Sequence, residues 1–200
     1  MSRYTKSIFK KSRRLGFSLL EDNKEFLKGK KRTYAPGQHG AASRKLSGYA
    51  EQLAEKQKLA LMYGMTDRQF RRLFGIAKKM KGSTSMNLLI VLESRLDNLV
   101  YRMGFAKTRR AARQMVSHGH VLLNGKKCNI PSTIIPLNSE ISIKEASKKM
   151  AALGENEKRY TLPFVKTDFE KLTGKYIRYP ERKELNQDIN ETYVVEWFNR

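Results

Sequence analysis

The segment from Glu93 to Gly125, ESRLDNLVYRMGFAKTRRAARQMVSHGHVLLNG, is the most informative part of this chain. It combines an apolar helix, an arginine-rich helix and a tight hairpin. Around its beginning, apolar residues recur at three- and four-residue steps, which predicts one helix with a buried face. These residues are Leu89, Leu92, Leu96, Leu99, Val100 and Met103. We expect the helix to end at Gly104, because a helix end favours a residue that adopts the left-handed conformation.

A second helix is predicted to begin after Thr108, whose hydroxyl is suited to cap it. Its basic residues are expected to share one outward face because of their spacing. They are Arg109, Arg110 and Arg113. The residues predicted to turn inward are Ala112, Met115 and Val116.

A hairpin is predicted directly after this helix. Gly119 would end the helix, His120 to Leu123 would form a strand, and Asn124-Gly125 is a strong hairpin signal. An isolated R-R-x-x-R pattern is more often a solvated basic helix than a binding site. Its combination with the apolar helix and the hairpin favours an RNA-binding surface instead.

The segment resembles the S4 RNA-binding domain family in five short motifs. They are S-R-L-D-N at 94–98, R-x-G-F-A at 102–106, T-R-R-A-A-R-Q at 108–114, H-G-H at 118–120 and V-x-x-N-G at 121–125. Hosts of this domain include a small-subunit ribosomal protein, tyrosyl-tRNA synthetases, pseudouridine synthases and a heat-shock protein. The resemblance implies RNA binding but does not choose among these hosts.

The chain of 200 residues is strongly basic. Forty-one Lys and Arg against nineteen Asp and Glu give a formal net charge of +22, which indicates a polyanionic partner. An anionic membrane surface would also attract it, but no stretch approaches the length of a spanning helix and the N-terminus lacks a signal-peptide core. We therefore expect a cytoplasmic protein with no membrane partner. The single cysteine, Cys128, fits a reducing compartment.

The positive charge is concentrated in the first two-thirds of the chain. Residues 1–48 carry thirteen basic and three acidic side chains, whereas residues 128–200 carry twelve and eleven. Phosphates would therefore attract the N-terminal two-thirds. The nearly neutral last third is better suited to packing or to contact with another protein.

Residues 1–48 are predicted to form a basic, extended N-terminal segment that cannot build a core alone. This segment is either a solvated, disordered tail or an extension that orders on RNA. Interleaved aromatic residues favour the second interpretation, because they suit stacking or anchoring on folded RNA. They are Tyr4, Phe9, Phe17, Phe26 and Tyr34. The loop 35–40 combines a proline with glycines, as expected of backbone that approaches a surface closely.

A small helical domain is predicted over residues 49–85. Ser47 can cap its first helix and Gly64 can end it. Thr66 and Gln69 form a capping box for the second helix. The buried stripe of that helix is predicted to be Phe70, Leu73, Phe74 and Ala77. Its exposed cations are predicted to be Arg68, Arg71, Arg72, Lys78 and Lys79.

The remaining sequence is predicted to extend a sheet. Ile141 and Ile143 alternate with polar residues in a strand, and residues 162–165 and 176–178 are two further candidate strands. A short helix is expected around residues 148–153. The end of the chain has both strand propensity and helical spacing of its apolar residues. We choose a helix capped by Asn190.

The predicted fold class is α+β. It comprises a helical domain and an S4 RNA-binding domain of two helices packed on a small, mainly antiparallel sheet. The predicted boundaries are 1–48 for the basic N-terminal extension, 49–85 for the helical domain joined by the C-terminal helix 189–200, and 86–188 for the S4 domain with its sheet extension.

Motifs throughout the chain resemble one host of this domain, the bacterial S4 family of small-subunit ribosomal proteins. They are R-Y-T at 3–5, S-R-R-L-G at 12–16, Y-A-P-G-Q-H-G at 34–40, E-K-Q-K-L at 55–59, M-Y-G at 62–64 and R-Q-F-R-x-L-F at 68–74. The resemblance extends from Arg3 to the closing residues 194–200.

This resemblance implies a structural component of the small ribosomal subunit that is not an enzyme. It implies primary binding to a multi-helix rRNA junction in the 5′ domain early in assembly. It also implies a place beside the channel through which mRNA enters, and a contribution to translational accuracy. The implied neighbour is the fifth small-subunit ribosomal protein. Many relatives repress their own mRNA, which is a further implied partner.

Candidate RNA-binding residues come from the basic clusters, the exposed helix faces and the matched motifs. Before residue 86 they are Arg3, Lys10, Lys11, Arg13, Arg14, Lys30, Lys31, Arg32, His39, Arg44, Lys45, Lys56, Lys58, Arg68, Arg71 and Arg72. After it they are Arg95, Arg102, Lys107, Thr108, Arg109, Arg110, Arg113, Gln114, His118, His120, Asn124 and Lys126. The resemblance implies that Arg44 and Lys45 face the mRNA channel.

No metal site, cofactor or catalytic residue is predicted. Many relatives hold zinc with four cysteines in the N-terminal extension, but residues 1–48 contain none. A zinc site needs four convergent donors, usually in close pairs, and Cys128 with three histidines does not offer that pattern. His118 and His120 are expected to be structural or to face phosphate.

The main alternative function is an RNA-modifying enzyme that uses the same domain to hold its substrate. Such an enzyme needs a catalytic domain, for which too few residues remain, and no Walker or Rossmann glycine pattern occurs. Asp97 is expected to orient Arg95 or Arg102 through an ion pair rather than to act as a nucleophile. A DNA-binding protein is a third alternative, but a helix that reads the major groove usually adds Asn or Gln to its Arg.

Overall fold

The structure is a computed structural model that describes residues 4–23, 26, 33–42, 45–148 and 161–200. Within these residues the chain forms seven α-helices and five β-strands, so the predicted α+β class is confirmed. The chain divides into two compact units. The first comprises residues 1–86 and 186–200, and the second comprises residues 87–185.

The helices of the first unit are α1 (Ile8–Leu15), α2 (Gly48–Met62), α3 (Asp67–Lys79) and α7 (Glu191–Phe198). The last three begin at the caps that the sequence predicts. Ser47 Oγ accepts a hydrogen bond from the Ala50 amide at 3.3 Å, and Thr66 forms its capping box with Gln69. Asn190 Oδ1 accepts from the Thr192 amide at 3.1 Å, which confirms a C-terminal helix.

The core of the first unit is built on the predicted stripe of α3, all four residues of which are buried. Two of them contact the ring of Phe198 on α7, with centroid distances of 5.9 Å for Phe70 and 4.3 Å for Phe74. On α2, Tyr49 lies 4.7 Å from Trp197. Aromatic contacts at such distances add to the burial of apolar area and attach α7 to α2 and α3.

The N-terminal extension contributes α1, which differs from the extended segment that its composition predicts. Gly16 ends this helix in the left-handed conformation, with a φ of 59°. The Leu19 amide donates to Ser12 Oγ at 3.3 Å, and both residues are buried. Phe17, one of the aromatic residues expected to stack or anchor on RNA, is buried in this unit, and Lys58 Nζ lies 5.7 Å from the centroid of its ring.

The second unit holds a sheet, two whole helices and most of a third, which begins in the last residues of the first unit. The helices are α4 (Thr84–Glu93), α5 (Leu96–Arg102) and α6 (Arg109–Ser117). The strands are β1 (Val121–Leu123), β2 (Lys126–Lys127), β3 (Glu140–Ile143), β4 (Val165–Asp168) and β5 (Thr173–Tyr176). All neighbours pair antiparallel in the order β2-β1-β3-β5-β4. Asn124 and Gly125 have φ angles of 48° and 77°, which confirms the predicted hairpin turn.

The prediction of one continuous apolar helix is wrong, because the chain breaks between α4 and α5. The Leu96 amide donates to the Thr133 carbonyl at 2.9 Å, and the Ile135 amide donates to the Ser94 carbonyl at 2.8 Å. The backbone at the break therefore pairs with a distant loop instead of continuing the helix. The six apolar residues that predicted the helix are nonetheless all buried.

The last two strands lie at 165–168 and 173–176 rather than at 162–165 and 176–178. Val165 pairs with Tyr176 and Asp168 pairs with Thr173, so the turn falls at residues 169–172. A 3₁₀ turn occupies residues Glu145–Ser147, whereas most of the helix expected at 148–153 lies outside the described residues.

Tyr176 ties the sheet to the break between α4 and α5. It is fully buried, and its hydroxyl lies 3.0 Å from Ser94 Oγ. Burial raises the pKa of Tyr176 to about 12, because the phenolate would lose its hydration in the core.

In the described part of the chain, no helix combines the length and apolar character needed to cross a bilayer.

Candidate nucleic-acid interface

The arginine-rich helix α6 is positioned by signals on both sides of it. Gly104 ends α5 with a φ of 75°. Thr108 Oγ1 accepts from the Ala111 amide at 3.2 Å, which confirms the predicted cap. After α6, Gly119 has a φ of 73° and leads into β1. The order helix, basic helix and hairpin is therefore the one that the sequence predicts.

Arg113 does not lie on the outward face of α6. Only 8% of the residue is exposed, and its Nη1 donates to Asp97 Oδ2 at 3.1 Å. The prediction that Arg109, Arg110 and Arg113 share an exposed face is therefore wrong. Position 113 belongs to the stripe of α6 that packs on α5, where the carboxylate of Asp97 compensates its charge.

Asp97 also binds a second buried arginine. Its two oxygens accept from Nε and Nη2 of Arg95 at 3.1 and 2.7 Å. This confirms that Asp97 orients Arg95, whereas Arg102 pairs with Glu93 instead. The predicted contact of Arg95 with RNA is not supported by this geometry, since only 3% of the residue is exposed.

A second network surrounds Glu93, whose side chain is fully buried. Arg102 donates to its two carboxylate oxygens from Nε at 2.9 Å and Nη2 at 2.7 Å. Asn98 Nδ2 donates to Glu93 Oε2 at 2.6 Å, and Asn98 Oδ1 accepts from Arg109 Nε at 2.9 Å. The guanidinium of Arg109 lies 4.6 Å from the ring centroid of Tyr101.

Sequence reasoning missed Glu93, Asn98 and Tyr101 as parts of the site. Asn98 lies within the S-R-L-D-N motif, and Glu93 directly precedes it. An acidic residue and an amide inside an otherwise apolar helical pattern were the available signals, because buried polar side chains need partners.

The exposed polar surface of α6 is a different set from the one predicted. We define the α6 outer face as Lys107, Arg110, Gln114 and His118, which recur at helical spacing and are all exposed. Nearby in sequence, the hairpin exposes Asn124, Lys126 and Lys127. Lys127 was not among the predicted residues. Cations on one helix and a hairpin turn can neutralise neighbouring phosphates of a nucleic acid.

Asn124 and His120 each contact another residue of this unit through a side-chain hydrogen bond. Asn124 Oδ1 accepts from the Glu140 amide at 2.8 Å and so holds the turn against β3. His120 is half-buried, and its Nδ1 lies 2.8 Å from Ser147 Oγ. His120 is therefore a structural residue in this arrangement, while His118 is exposed.

The cations of the first unit fall into three groups. Those that are exposed are Lys10, Arg14, His39, Lys45, Arg68, Arg71 and Arg72, and Lys11 and Arg13 are half-buried. Lys56 pairs with Asp67 and lies 5.4 Å from the Trp197 ring, while Lys58 pairs with Glu55 at 2.6 Å. The candidates Arg3, Lys30, Lys31, Arg32 and Arg44 lie outside the described residues.

Comparison with known proteins identifies the family. Residues 3–93 match the ribosomal protein S4/S9 N-terminal domain, and residues 94–141 match the S4 domain. The chain is 61% identical to the small ribosomal subunit protein uS4 of Malacoplasma penetrans over 200 residues, which are 100% of this chain and 99% of that relative. The chain belongs to the uS4 family. Its identity to the uS4 proteins of Ureaplasma urealyticum and Mycoplasmoides gallisepticum is 60% and 57%, with the same coverage.

The boundary between the two uS4-family domains coincides with the break between α4 and α5. The N-terminal match ends at Glu93 and the S4 match begins at Ser94. Glu93 therefore lies in the N-terminal match. Arg102, which its carboxylate binds, and Arg109, which it holds through Asn98, lie in the S4 match.

Among the described residues, no group of three or more His, Cys, Asp and Glu side chains is placed to hold a metal ion.

Proposed function

We propose that this uS4-family chain is a primary rRNA-binding protein that recognises a multi-helix junction in the 5′ domain and nucleates assembly of the subunit body. As a member of the family, it is a structural component of the small ribosomal subunit and not an enzyme. Its S4 domain binds small-subunit rRNA. We further propose that it works in the cytoplasm.

The observation that supports the proposal is the α6 outer face beside the hairpin lysines. Lys107 and Arg110 are exposed on one side of α6, and Lys126 and Lys127 are exposed on the turn that follows. Cations on two successive elements can contact the phosphates of more than one RNA segment, as a junction requires. The net charge of +22 supplies the long-range attraction.

Three finer roles are included in the proposal. The exposed side chain of Lys45 supports a place beside the channel through which mRNA enters, with a contribution to translational accuracy. Exposed Ile177 and Tyr179 in the nearly neutral last third support contact with another protein, proposed to be the fifth small-subunit ribosomal protein. An mRNA that folds like the rRNA junction would bind the same surface, so the chain's own message is a proposed partner.

Binding of the purified chain to rRNA in the absence of other ribosomal proteins tests this function. We expect it to bind a 5′-domain fragment more tightly than a 3′-domain fragment of equal length. Equal affinity for the two fragments would contradict the proposal. A requirement for a second ribosomal protein would show that the chain is not a primary binder.

A further inference from the structure

The guanidinium of Arg109 is fixed from two directions by side chains that have no contact role in the proposed function. Its Nε donates to Asn98 Oδ1 at 2.9 Å, and its Cζ lies 4.6 Å from the centroid of the Tyr101 ring. Asn98 is itself held, because its Nδ2 donates both to Glu93 Oε2 at 2.6 Å and to the Glu93 carbonyl at 3.1 Å.

Glu93 is the fixed end of this chain of contacts. Its side chain is fully buried at the end of α4, and Arg102 donates to both of its oxygens. Asn98 Nδ2 and Arg102 Nε both donate to Glu93 Oε2. This contact determines which way the Asn98 amide is oriented. The amide must point its oxygen, not its nitrogen, toward Arg109, because its nitrogen faces a carboxylate.

We propose that Glu93 and Asn98 are positioning residues for RNA binding, which hold the side chain of the half-buried Arg109 ready to contact an rRNA phosphate. This inference rests on the proposed function and extends it to two residues that do not themselves reach RNA. An arginine that is already ordered loses less side-chain entropy when it binds than a mobile one. Arg110, one residue further and exposed, provides the long-range charge, whereas Arg109 provides the fixed contact.

The sign of the effect separates positioning from simple electrostatics. Glu93→Gln raises the net charge by one, so attraction to RNA alone predicts equal or tighter binding. Positioning predicts the opposite, because an amide cannot accept from Arg102 and Asn98 as the carboxylate does. We expect Glu93→Gln to bind the 5′-domain fragment roughly tenfold more weakly than wild type, as for the loss of one well-placed contact. The matched control is Glu170→Gln, which makes the same charge change at an exposed position of the same unit.

Asn98→Ala provides a second variant that leaves the charge unchanged and keeps the Glu93–Arg102 pair. If Asn98 acts through Arg109, its effect on rRNA affinity should disappear when Arg109 is already alanine. Asn98→Ala and Arg109→Ala should also lower the salt slope of binding by the same amount, about 0.7–0.9 for one lost phosphate contact. A purely structural role would lower the melting temperature without this coupling.

The experiment is therefore a double-mutant cycle of Asn98→Ala and Arg109→Ala with the 5′-domain fragment, alongside Glu93→Gln and Glu170→Gln. Thermal melts show which variants are folded, and rRNA affinities are compared only among those. Additive losses of affinity in the cycle would overturn the inference, and so would a Glu93→Gln variant that binds as tightly as Glu170→Gln. The proposed function would still stand if the wild-type chain prefers the 5′-domain fragment. A wild-type chain without that preference would overturn both.

Discussion

Arg113 donates a hydrogen bond from Nη1 to Oδ2 of Asp97 at 3.1 Å, and both side chains are buried. The same carboxylate also accepts two bonds from Arg95. The buried carboxylate of Asp97 thus binds two arginines whose charge alone would suggest that they contact RNA. The basic residues of this domain therefore divide into those that stabilise it and those that face the partner.

Arg113→Glu should destabilise the second unit. The substitution removes a buried charge partner and places a second carboxylate beside Asp97, so we expect a loss of about 3–5 kcal/mol in the free energy of unfolding. Urea unfolding followed by circular dichroism measures this loss. An unfolding curve unchanged from wild type would show that Arg113 is not held by Asp97 in solution.

Arg110→Glu should have the opposite profile. Its side chain is exposed on the α6 outer face, so the free energy of unfolding should change by no more than about 0.5 kcal/mol. The affinity for the rRNA fragment should fall by about tenfold or more, because an attractive contact with phosphate becomes repulsive. Titrations at constant salt measure this loss, and unchanged affinity would remove the α6 outer face from the interface.

Ionisation of Tyr176 should weaken the fold at alkaline pH. The unfolded tyrosine titrates near 10.0, whereas burial raises the pKa in the folded chain to about 12. The contribution of the neutral phenol is therefore complete below pH 10 and is lost between pH 10 and 12, by up to about 2–3 kcal/mol. Wild type should lose stability faster than Tyr176→Phe across this window. Parallel stability curves would contradict the burial of this hydroxyl.

Removal of divalent metals should leave the protein folded and able to bind RNA when the magnesium that the RNA needs is restored. Residues 1–48 contain no cysteine, so a zinc site built on thiolates cannot form there. Melting curves with and without a zinc chelator should coincide. Stoichiometric zinc in the purified protein, measured by elemental analysis, would contradict this prediction.

Local signals predicted several helix caps and the hairpin turn correctly. Caps and hairpin turns depend on hydrogen bonds or φ angles within a few residues, so a short stretch of sequence is enough to predict them. This holds for the caps at Ser47, Thr66 and Thr108 and for the turn at Asn124-Gly125. The buried stripe of α3 was equally readable, because the 3.6-residue period places its apolar side chains on one face.

Non-local partners account for what the sequence did not reveal. The break after Glu93 exists because residues 94–96 pair with a loop near Thr133, which the apolar pattern of the helix does not show. The burial of Arg113 depends on Asp97, which lies on another helix. An arginine at a helical position with small neighbours is normally assigned to the surface, since unpaired charges are rarely buried.

The steepness of salt dependence, measured for the 5′-domain rRNA fragment and for duplex DNA of equal length, tests whether the chain is an RNA-specific basic binder. Between about 50 and 200 mM salt, we predict a log-log slope for the rRNA fragment on the order of −4 or steeper. We also predict that the preference for rRNA over DNA persists at the higher salt. A nearly flat slope, or equal binding of the two nucleic acids, would contradict this prediction.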